Sequence, residues 1–322
     1  MPGKPKIVFM GTPGFAVASL DALVKNQLPV VGVITAPDKP AGRGLEMHAS
    51  PVKQYALEKG LRLLQPDKLK NEAFLAELRS LGADLFIVVA FRMLPEAVWG
   101  MPRLGTFNLH ASLLPHYRGA APINWAIING EKETGVTTFF LQQEIDTGKI
   151  ILQEKVKIAE DETAGELHDK LMQAGAALVL RTVELISTGN VPQTDQAALV
   201  KSGEELRPAP KIFREDCRIV WHKPIDKVYD LIRGLSPYPA AYTELLSPEG
   251  KKFQLKLFRA EKLAGMPAAE PGSIRTDGRT FLHVAAAGGY IAASELQLAG
   301  KKRMTAAELL RGFPLNDGWK AL

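Results

Sequence analysis

The stretch that decides the fold runs from Lys6 to Ala36 and reads KIVFMGTPGFAVASLDALVKNQLPVVGVITA. The apolar run Lys6–Met10 ends in a glycine-rich turn, a helical pattern follows over Phe15–Lys25, and a second apolar run occupies Leu28–Ala36. A strand, a tight turn, a helix and a second strand in this order open a doubly wound parallel sheet. We therefore expect an α/β chain that begins with a Rossmann-like sheet.

The turn Gly11–Gly14 departs from the GxGxxG pattern of dinucleotide-binding sheets. No acidic residue follows the second strand in the position that would bind a ribose, because Asp38 lies beyond Pro37 in a loop. A dinucleotide site is therefore the weaker interpretation. The glycines are explained if they only allow a tight connection between strand and helix.

Two further strands lead to the centre of the sheet. Ala83–Phe91 is the most apolar run in the chain, so we expect it to lie centrally, with Gly105–His110 as another strand. In open α/β sheets, ligands bind beyond the carboxyl ends of such strands. The Pro/Gly-rich loop Pro37–Pro51 is longer than a minimal connection and carries Arg43 between two glycines, which fits either an anion contact or a surface loop.

Composition excludes several classes of protein. The 322 residues are 46% hydrophobic and 23% charged, as in globular domains, and no apolar run approaches the ~20 residues of a membrane span. One cysteine, Cys217, excludes an internal disulfide framework and a cysteine-rich metal site. The N-terminus shows no signal-peptide pattern, so we expect a cytoplasmic location and no membrane partner.

The texture of the chain changes after Lys211. Short apolar segments alternate there with Gly/Pro/Asp turns, which indicates a small β-barrel of OB-like type. Before it, Thr163 with Glu166 forms a capping-box pattern for a helix that runs to about Thr188. We predict a catalytic domain over residues 1–189, a linker over 190–210 and a barrel domain over 211–322.

Positive charge is concentrated in the second part of the chain. Residues 1–199 contain 20 Lys and Arg against 21 Asp and Glu, whereas residues 200–322 contain 20 against 14. A basic excess confined to one domain favours a polyanionic partner there, and a solvated surface is the alternative.

The stretch Thr106–Ile151 gathers the residues that could carry chemistry. Asn108 and His110 lie two residues apart on a strand, hence on one face, and Asp146 returns on a turn beside another strand. Asn can donate a hydrogen bond to an oxyanion, His can take a proton from an attacking amine, and Asp can orient the imidazole. This set favours acyl transfer to an amine without a covalent enzyme intermediate. Separately, each residue has a structural explanation.

Other chemistries are poorly supported. Ser112 lacks the GxSxG elbow of a serine nucleophile, and no HxxxH or CxxC pair predicts zinc, so we predict no metal site.

At these residues the chain resembles the folate-dependent formyltransferases. The resemblance rests on Asn108-Leu109-His110, on Ser112-Leu113-Leu114-Pro115 and on Asp146-Thr147-Gly148, in that order. Further matching pieces cover nearly the whole chain: Phe9-Met10-Gly11-Thr12-Pro13, Pro37–Gly44, Tyr117–Ile123, Ile232-Arg233 and Ser236–Pro239.

The resemblance implies 10-formyltetrahydrofolate as co-substrate and the methionine amino group of initiator tRNA as acceptor. It implies that Asn108 stabilises the oxyanion, that His110 handles the proton and that Asp146 supports His110. The implied folate contacts are Ser112, Leu113, Leu114, Pro115, Phe91, Arg92 and Leu94. The implied acceptor contacts are Arg43, Lys39 and Phe15, together with the basic C-terminal domain. No obligate protein partner is implied.

Two departures from the family pattern bear on these expectations. Leu45 and Glu46 stand where members often have lysines, and Phe91-Arg92 stands where a Tyr-Gly pair is frequent, which leaves Arg92 without a role. Two alternatives remain: a formyltransferase acting on a UDP-aminosugar, and a non-catalytic RNA-binding protein. The intact trio argues against the second.

Overall fold

The computed structural model describes residues 4–41, 46–265 and 269–322. The chain forms two compact units. Unit 1 contains the residues up to Gly119, Thr134–Val156 and His168–Pro208, and unit 2 contains Ala120–Glu133, Lys157–Leu167 and Ala209–Leu322.

The described residues up to Thr188 form nine strands and six α-helices. The strands are β1 (Ile7–Gly11), β2 (Val30–Ile34), β3 (Lys39–Ala41), β4 (Glu46–His48), β5 (Leu63–Leu64), β6 (Leu85–Val89), β7 (Thr106–His110), β8 (Glu133–Phe140) and β9 (Ile150–Lys157). The helices are α1 (Gly14–Lys25), α2 (Pro51–Glu58), α3 (Glu72–Ser80), α4 (Glu96–Trp99), α5 (Pro122–Ile128) and α6 (Ala164–Thr188).

Seven of these strands form one sheet in the order β5-β2-β1-β6-β7-β8-β9, and β3 pairs with β4 in a separate ribbon. The strands from β5 to β7 are parallel, whereas β7 and β8 are antiparallel. The doubly wound prediction is confirmed. Strand β6 is the fourth of the seven strands, and all five of its residues are buried, as expected for a central strand. A side chain at Gly11 would place its Cβ 2.6 Å from the Ala16 Cβ, which explains the glycine at the first turn.

Unit 2 is built on an antiparallel sheet. Its strands are β10 (Ala241–Leu246), β11 (Lys252–Ala264), β12 (Ile274–Thr276), β13 (Leu282–Ala286), β14 (Gly289–Leu298), β15 (Met304–Thr305) and β16 (Lys320–Ala321), and its later helices are α7 (Ile225–Gly234) and α8 (Ala306–Leu310). The order is β12-β13-β14-β11-β10-β16, with β15 on β14. A bridge between Ser273 and Lys320 joins the two edges, so the sheet is nearly closed and the barrel prediction is confirmed.

Unit 2 also contains helix α5, although two segments of unit 1 follow this helix in the sequence. The Asn124 side chain donates to Gly234 O at 2.7 Å, and a Cβ at Gly234 would lie 2.6 Å from the Ile128 side chain. Ile128 packs against the hydrophobic core of the barrel. The division in space is therefore not collinear with the sequence, and the predicted boundaries at residues 189 and 211 stay a prediction.

The segment over residues 190–210 is attached to folded structure although its composition predicts a linker. Thr194 and Ile150 exchange two backbone hydrogen bonds of 2.9 Å at the start of β9. A short 3-10 helix, Gln196–Leu199, follows, and Tyr117 N donates to Arg207 O at 2.6 Å. Backbone partners of this kind leave no trace in composition.

Candidate active site

Strand β7 carries two of the three expected catalytic residues at its carboxyl end. Asn108 is opposite Phe139 and His110 is opposite Thr137 in the ladder with β8, which puts both on one face. His110 is buried and Asn108 is half-buried. Among the described residues, the Asn108 carboxamide has no hydrogen-bond partner, so its donor group is available to a ligand.

The imidazole of His110 is fixed from one side. Its Nε2 lies 2.8 Å from Tyr117 O, and because a carbonyl oxygen can only accept, Nε2 must carry a hydrogen. Its Nδ1 lies 3.8 Å from Asp146 Oδ2, with side-chain exposures of 7% and 12% for the two residues. That distance is too long for a hydrogen bond but short enough for attraction once Nδ1 is protonated. The structure thus brings His110 and Asp146 together, as expected.

Asp146 lies in a turn that few residues would adopt. Its φ is +54°, in the left-handed region, and its Oδ2 accepts from Gly119 N at 3.1 Å. Two residues later, a Cβ at Gly148 would lie 1.6 Å from Phe140 O, so only glycine fits. The Asp146-Thr147-Gly148 turn is therefore closely packed against the end of β8.

The expected folate loop Ser112–Pro115 is held by internal hydrogen bonds. Ser112 Oγ donates to His116 O at 2.7 Å, Thr137 Oγ1 donates to Ser112 O at 2.6 Å, and Gln153 Nε2 donates to Leu114 O at 2.9 Å. Ser112, Leu114 and Pro115 are buried, whereas Leu113 is half-buried. The Ser112 side chain is thus already occupied within the protein.

The end of β6 places the other expected folate residues. Phe91 and Leu94 are half-buried and pack against the core of unit 1, whereas Arg92 is exposed. The Arg92 guanidinium donates to Asp67 O at 2.9 Å and to Pro66 O, and lies 5.7 Å from the Phe91 ring centre. Arg92 therefore ties the loop after β5 to the end of β6, which gives this departure from the family pattern a structural role.

Only some of the expected acceptor residues lie in the part of the chain that the structure describes. Phe15 is buried, and its ring meets that of His168 edge-on at 5.3 Å between centroids. Arg43 and Leu45 lie outside the described residues, as do the side chains of Lys39 and Glu46.

The loop Pro37–Pro51 is anchored at its base. Lys53 Nζ lies 2.5 Å from Asp38 Oδ2, and Gln65 donates to Asp38 Oδ1 at 3.0 Å. The hydrogen bond from Lys53, followed by that from Gln65, lowers the pKa of Asp38 below its ordinary value. Asp38 thus has protein partners and acts as an anchor for this loop.

Two further residues complete the site: Arg118 lies in the matching piece Tyr117–Ile123, whereas Gln196 does not stand out in the sequence. Gln196 is buried and hydrogen-bonds to the backbone of the Asp146 turn, and Arg118 donates to Gln196. Asp195 is a helix-capping residue type, and its Oδ1 accepts from Ala197 N. That signal could predict the short 3-10 helix, but not the burial of the glutamine.

Among the described residues, no cluster of three or more His, Cys, Asp or Glu side chains could hold a metal ion. None of the helices described is long and apolar enough to cross a membrane.

Comparison with known families matches both halves of the chain. A family model described as formyl transferase covers residues 5–183, and one described as formyl transferase, C-terminal domain, covers residues 211–314.

Curated relatives match over nearly their full length. A methionyl-tRNA formyltransferase of Bacteroides thetaiotaomicron is 60% identical over 315 residues, covering 98% of each chain. A protein of the same name from Flavobacterium johnsoniae is 52% identical over 314 residues, again covering 98% of each chain.

Solved structures share the fold at low identity. HypX from Aquifex aeolicus, in complex with tetrahydrofolic acid, matches with a TM-score of 0.64 and 18% identity over 96% of this chain, which spans about half (47%) of HypX. An N-formyltransferase from Helicobacter canadensis, in complex with folinic acid and dTDP-3-aminofucose, matches with a TM-score of 0.63 and 18% identity, covering 90% of this chain and 98% of that one.

The solved structures support the fold alone, whereas the family models cover residues 5–183 and 211–314 and the curated relatives cover nearly the whole sequence. The chain belongs to the formyl transferase family, among the methionyl-tRNA formyltransferases.

Proposed function

We propose that this chain transfers the formyl group of 10-formyltetrahydrofolate to the amino group of methionine on initiator tRNA, giving formylmethionyl-tRNA. The observation that carries the proposal is the pairing of His110 with Asp146 at 3.8 Å beside Asn108, in a chain 60% identical to a relative of that name. As initiation begins with this product, we propose a cytoplasmic location.

The residues present fit a formyl donor. The Asn108 carboxamide has no partner among the described residues and lies at the carboxyl end of a strand next to the central one, where ligands of open α/β sheets bind. The half-buried side chains of Leu113, Phe91 and Leu94 offer apolar contact for a pteridine ring. Ser112 and Leu114 are buried and their carbonyl oxygens accept from Thr137 and Gln153, so we assign them to holding the loop that presents Leu113.

Three side chains divide the chemistry of transfer. As the amine attacks the formyl carbon, negative charge grows on the formyl oxygen, and Asn108 donates a hydrogen bond to it. The amine loses a proton, which His110 takes at Nδ1, because Nε2 already donates to Tyr117 O. Asp146 faces that nitrogen and stabilises the imidazolium as it forms. His110 then gives this proton to the folate nitrogen as the bond between that nitrogen and the formyl carbon breaks.

The acceptor contacts follow from the resemblance and the charge distribution. We assign the acceptor end of the tRNA to Arg43 and Lys39, the methionine side chain to the surroundings of Phe15, and the tRNA backbone to the basic residues of 211–322. Affinity for the tRNA should then fall as salt concentration rises, because phosphate contacts release counterions. An affinity independent of salt would remove the role given to this domain.

An acceptor comparison tests the proposal. Purified protein is supplied with radiolabelled 10-formyltetrahydrofolate and, separately, with methionine-charged initiator tRNA, methionine-charged elongator tRNA or a UDP-aminosugar. We expect label in the initiator tRNA only. Transfer to the aminosugar with none to tRNA would replace the proposal by the sugar alternative, and no transfer to any acceptor would favour a non-catalytic RNA-binding role.

A further inference from the structure

Gln196 is a buried polar side chain in a segment whose neighbours are exposed. It is 2% exposed, whereas Asp195 and Ala197 on either side are open to solvent. Burying an amide without partners is unfavourable, so a buried glutamine needs hydrogen bonds to its polar atoms. Its location, in a stretch of linker composition, calls for a functional explanation.

The carboxamide of Gln196 uses all of its hydrogen-bonding capacity. Its Nε2 donates to Asp146 O and to Gly148 O, both at 2.8 Å. Its Oε1 accepts from Arg118 Nε at 3.0 Å and from Arg118 Nη2 at 2.6 Å. A primary amide has two donors and two acceptor positions, and here all four are used by side-chain or backbone partners.

These hydrogen bonds hold the turn that contains Asp146. Asp146 holds a left-handed φ of +54°, a region that Asp adopts more readily than most residues but that still favours glycine. Gln196 binds the backbone of that turn, while Gly119 N binds the Asp146 carboxylate at 3.1 Å. Because Gly119 follows Arg118 directly, the hydrogen bonds form a closed ring that sets both ends of the aspartate.

The segment itself does not depend on Gln196. Thr194 and Ile150 pair through two backbone hydrogen bonds of 2.9 Å, and Asp195 caps the 3-10 helix. A substitution at residue 196 should therefore leave the segment attached and remove only the ring. This separation makes the role of the side chain testable in a folded protein.

We propose that Gln196 is a positioning residue for formyl transfer: it holds the backbone of Asp146 so that the carboxylate stands beside His110. The inference rests on the proposed function, because it assigns Gln196 to the same reaction. It acts through Asp146 and not through contact with a substrate.

Two variants and a matched control test the proposal. Gln196→Met keeps the length without donors or charge, and Gln196→Glu keeps the acceptor for Arg118 but loses both donors. Each should lower kcat for formylation of charged initiator tRNA about 10- to 100-fold, with KM for both substrates little changed, because misplacing a catalytic group by about 1 Å costs on that scale. Gln193→Glu, exposed in the same segment, should keep the wild-type kcat.

A double-mutant cycle separates positioning from general damage. In the background of Asp146→Asn, Gln196→Met should change kcat by less than about twofold, since a residue that acts through Asp146 has nothing left to act on. The same fold-loss in both backgrounds would overturn the proposal.

A measurement without substrates makes the inference independent of the acceptor. Hydrogen exchange of the amides of Asp146, Thr147 and Gly148 should be faster in Gln196→Met than in the wild type, and unchanged in Gln193→Glu. Equal exchange in Gln196→Met and the wild type would overturn the positioning role. If the wild-type protein formylates no tRNA, the proposed function fails, whereas the exchange result still decides whether Gln196 holds the turn.

Discussion

Among the described residues, each compact unit contains a cluster of buried and half-buried polar side chains that joins distant parts of the chain. In unit 1 the Gln196 cluster consists of Arg118, Asp146 and Gln196. In unit 2 the Arg233 cluster consists of Arg233, Asp230 and the backbone of Glu162. Each contains a hydrogen bond between residues more than seventy positions apart, but their charged groups have different partners.

In the Arg233 cluster the charges touch. Arg233 Nη2 lies 2.7 Å from Asp230 Oδ1, and Nη1 donates to Glu162 O at 3.1 Å, with side-chain exposures of 4% for Arg233 and 14% for Asp230. In the Gln196 cluster Arg118 donates to a neutral amide, and that amide donates to the backbone oxygen of Asp146 and not to its carboxylate. The Arg233 cluster thus contains a direct ion pair, whereas the Asp146 carboxylate faces His110 and accepts from Gly119 N.

Removing the buried arginine tests the stability side of this comparison and should have the largest effect. Arg233→Ala leaves Asp230 buried without its partner, so the free energy of unfolding should fall by about 3–5 kcal/mol, measured by urea denaturation. Arg311→Ala is the matched control, because its side chain is 75% exposed and 4.0 Å from Glu308, and its effect should be below ~1 kcal/mol. Equal losses in the two variants would contradict the contrast between buried and surface pairs.

Altering the Asp146-Thr147-Gly148 turn should cost less stability than Arg233→Ala but more formylation activity. Gly148→Ala puts a Cβ 1.6 Å from Phe140 O. Relieving this clash must displace the Gly148 carbonyl that Gln196 binds, so about 1–3 kcal/mol of stability should be lost. Formylation turnover of the folded protein should fall as well, whereas that of Arg233→Ala should not.

A glycine in the same unit serves as the control for this change. A Cβ at Gly14 would have no atom within 4 Å, so Gly14→Ala should preserve both stability and turnover. Wild-type turnover in Gly148→Ala, measured under conditions where it is folded, would show that the position of the turn is unimportant.

The smallest effect concerns the helix cap of α6. Glu166 accepts from Thr163 N at 2.9 Å and from Arg259, and the Thr163 backbone N–H, followed by Arg259, lowers the pKa of Glu166 from 4.5 to about 2. A lowered pKa means that the folded state favours the ionised form, so this stabilisation is complete above about pH 5 and is lost as the pH falls from 4.5 towards 2.

Denaturation of Glu166→Gln and wild type between pH 6 and pH 3 checks this expectation. The difference in unfolding free energy should be constant above pH 5 and shrink below pH 4.5. It should stay smaller than the effect of Arg233→Ala, because the Glu166 side chain is 47% exposed. A difference that does not depend on pH would remove the charge from the explanation.

Much of the fold follows from local patterns. The first strand, glycine turn and helix were predictable because Gly11 and Gly14 separate an apolar run from a helical pattern. The central strand was predictable because every residue of Leu85–Val89 is apolar. The capping box Thr163–Glu166 is confirmed by its reciprocal hydrogen bonds.

The proximity of the candidate catalytic residues was predictable for a different reason. Alternation along β7 puts Asn108 and His110 on one face, and the Asp146 turn leads into a neighbouring strand. The proximity of His110 and Asp146 is thus a consequence of sheet order.

The supporting residues could not be predicted in this way. Gln196 donates to backbone carbonyls 50 and 48 positions away, and Arg233 donates to a backbone carbonyl 71 positions away in addition to pairing with the nearby Asp230. Backbone acceptors have the same chemistry in every residue, so they impose no pattern on the sequence around the donor. The assignment of α5 to unit 2 has the same origin, since it depends on a contact with Gly234.

The most direct test of the mechanism is a single-turnover measurement on His110→Asn. With enzyme in excess over methionine-charged initiator tRNA and with saturating 10-formyltetrahydrofolate, the rate of formyl transfer reports the chemical step. Loss of the proton acceptor facing Asp146 should lower this rate by about 100-fold or more, with tRNA affinity unchanged. A single-turnover rate close to that of the wild type would contradict the assignment of the reaction to His110 and Asp146.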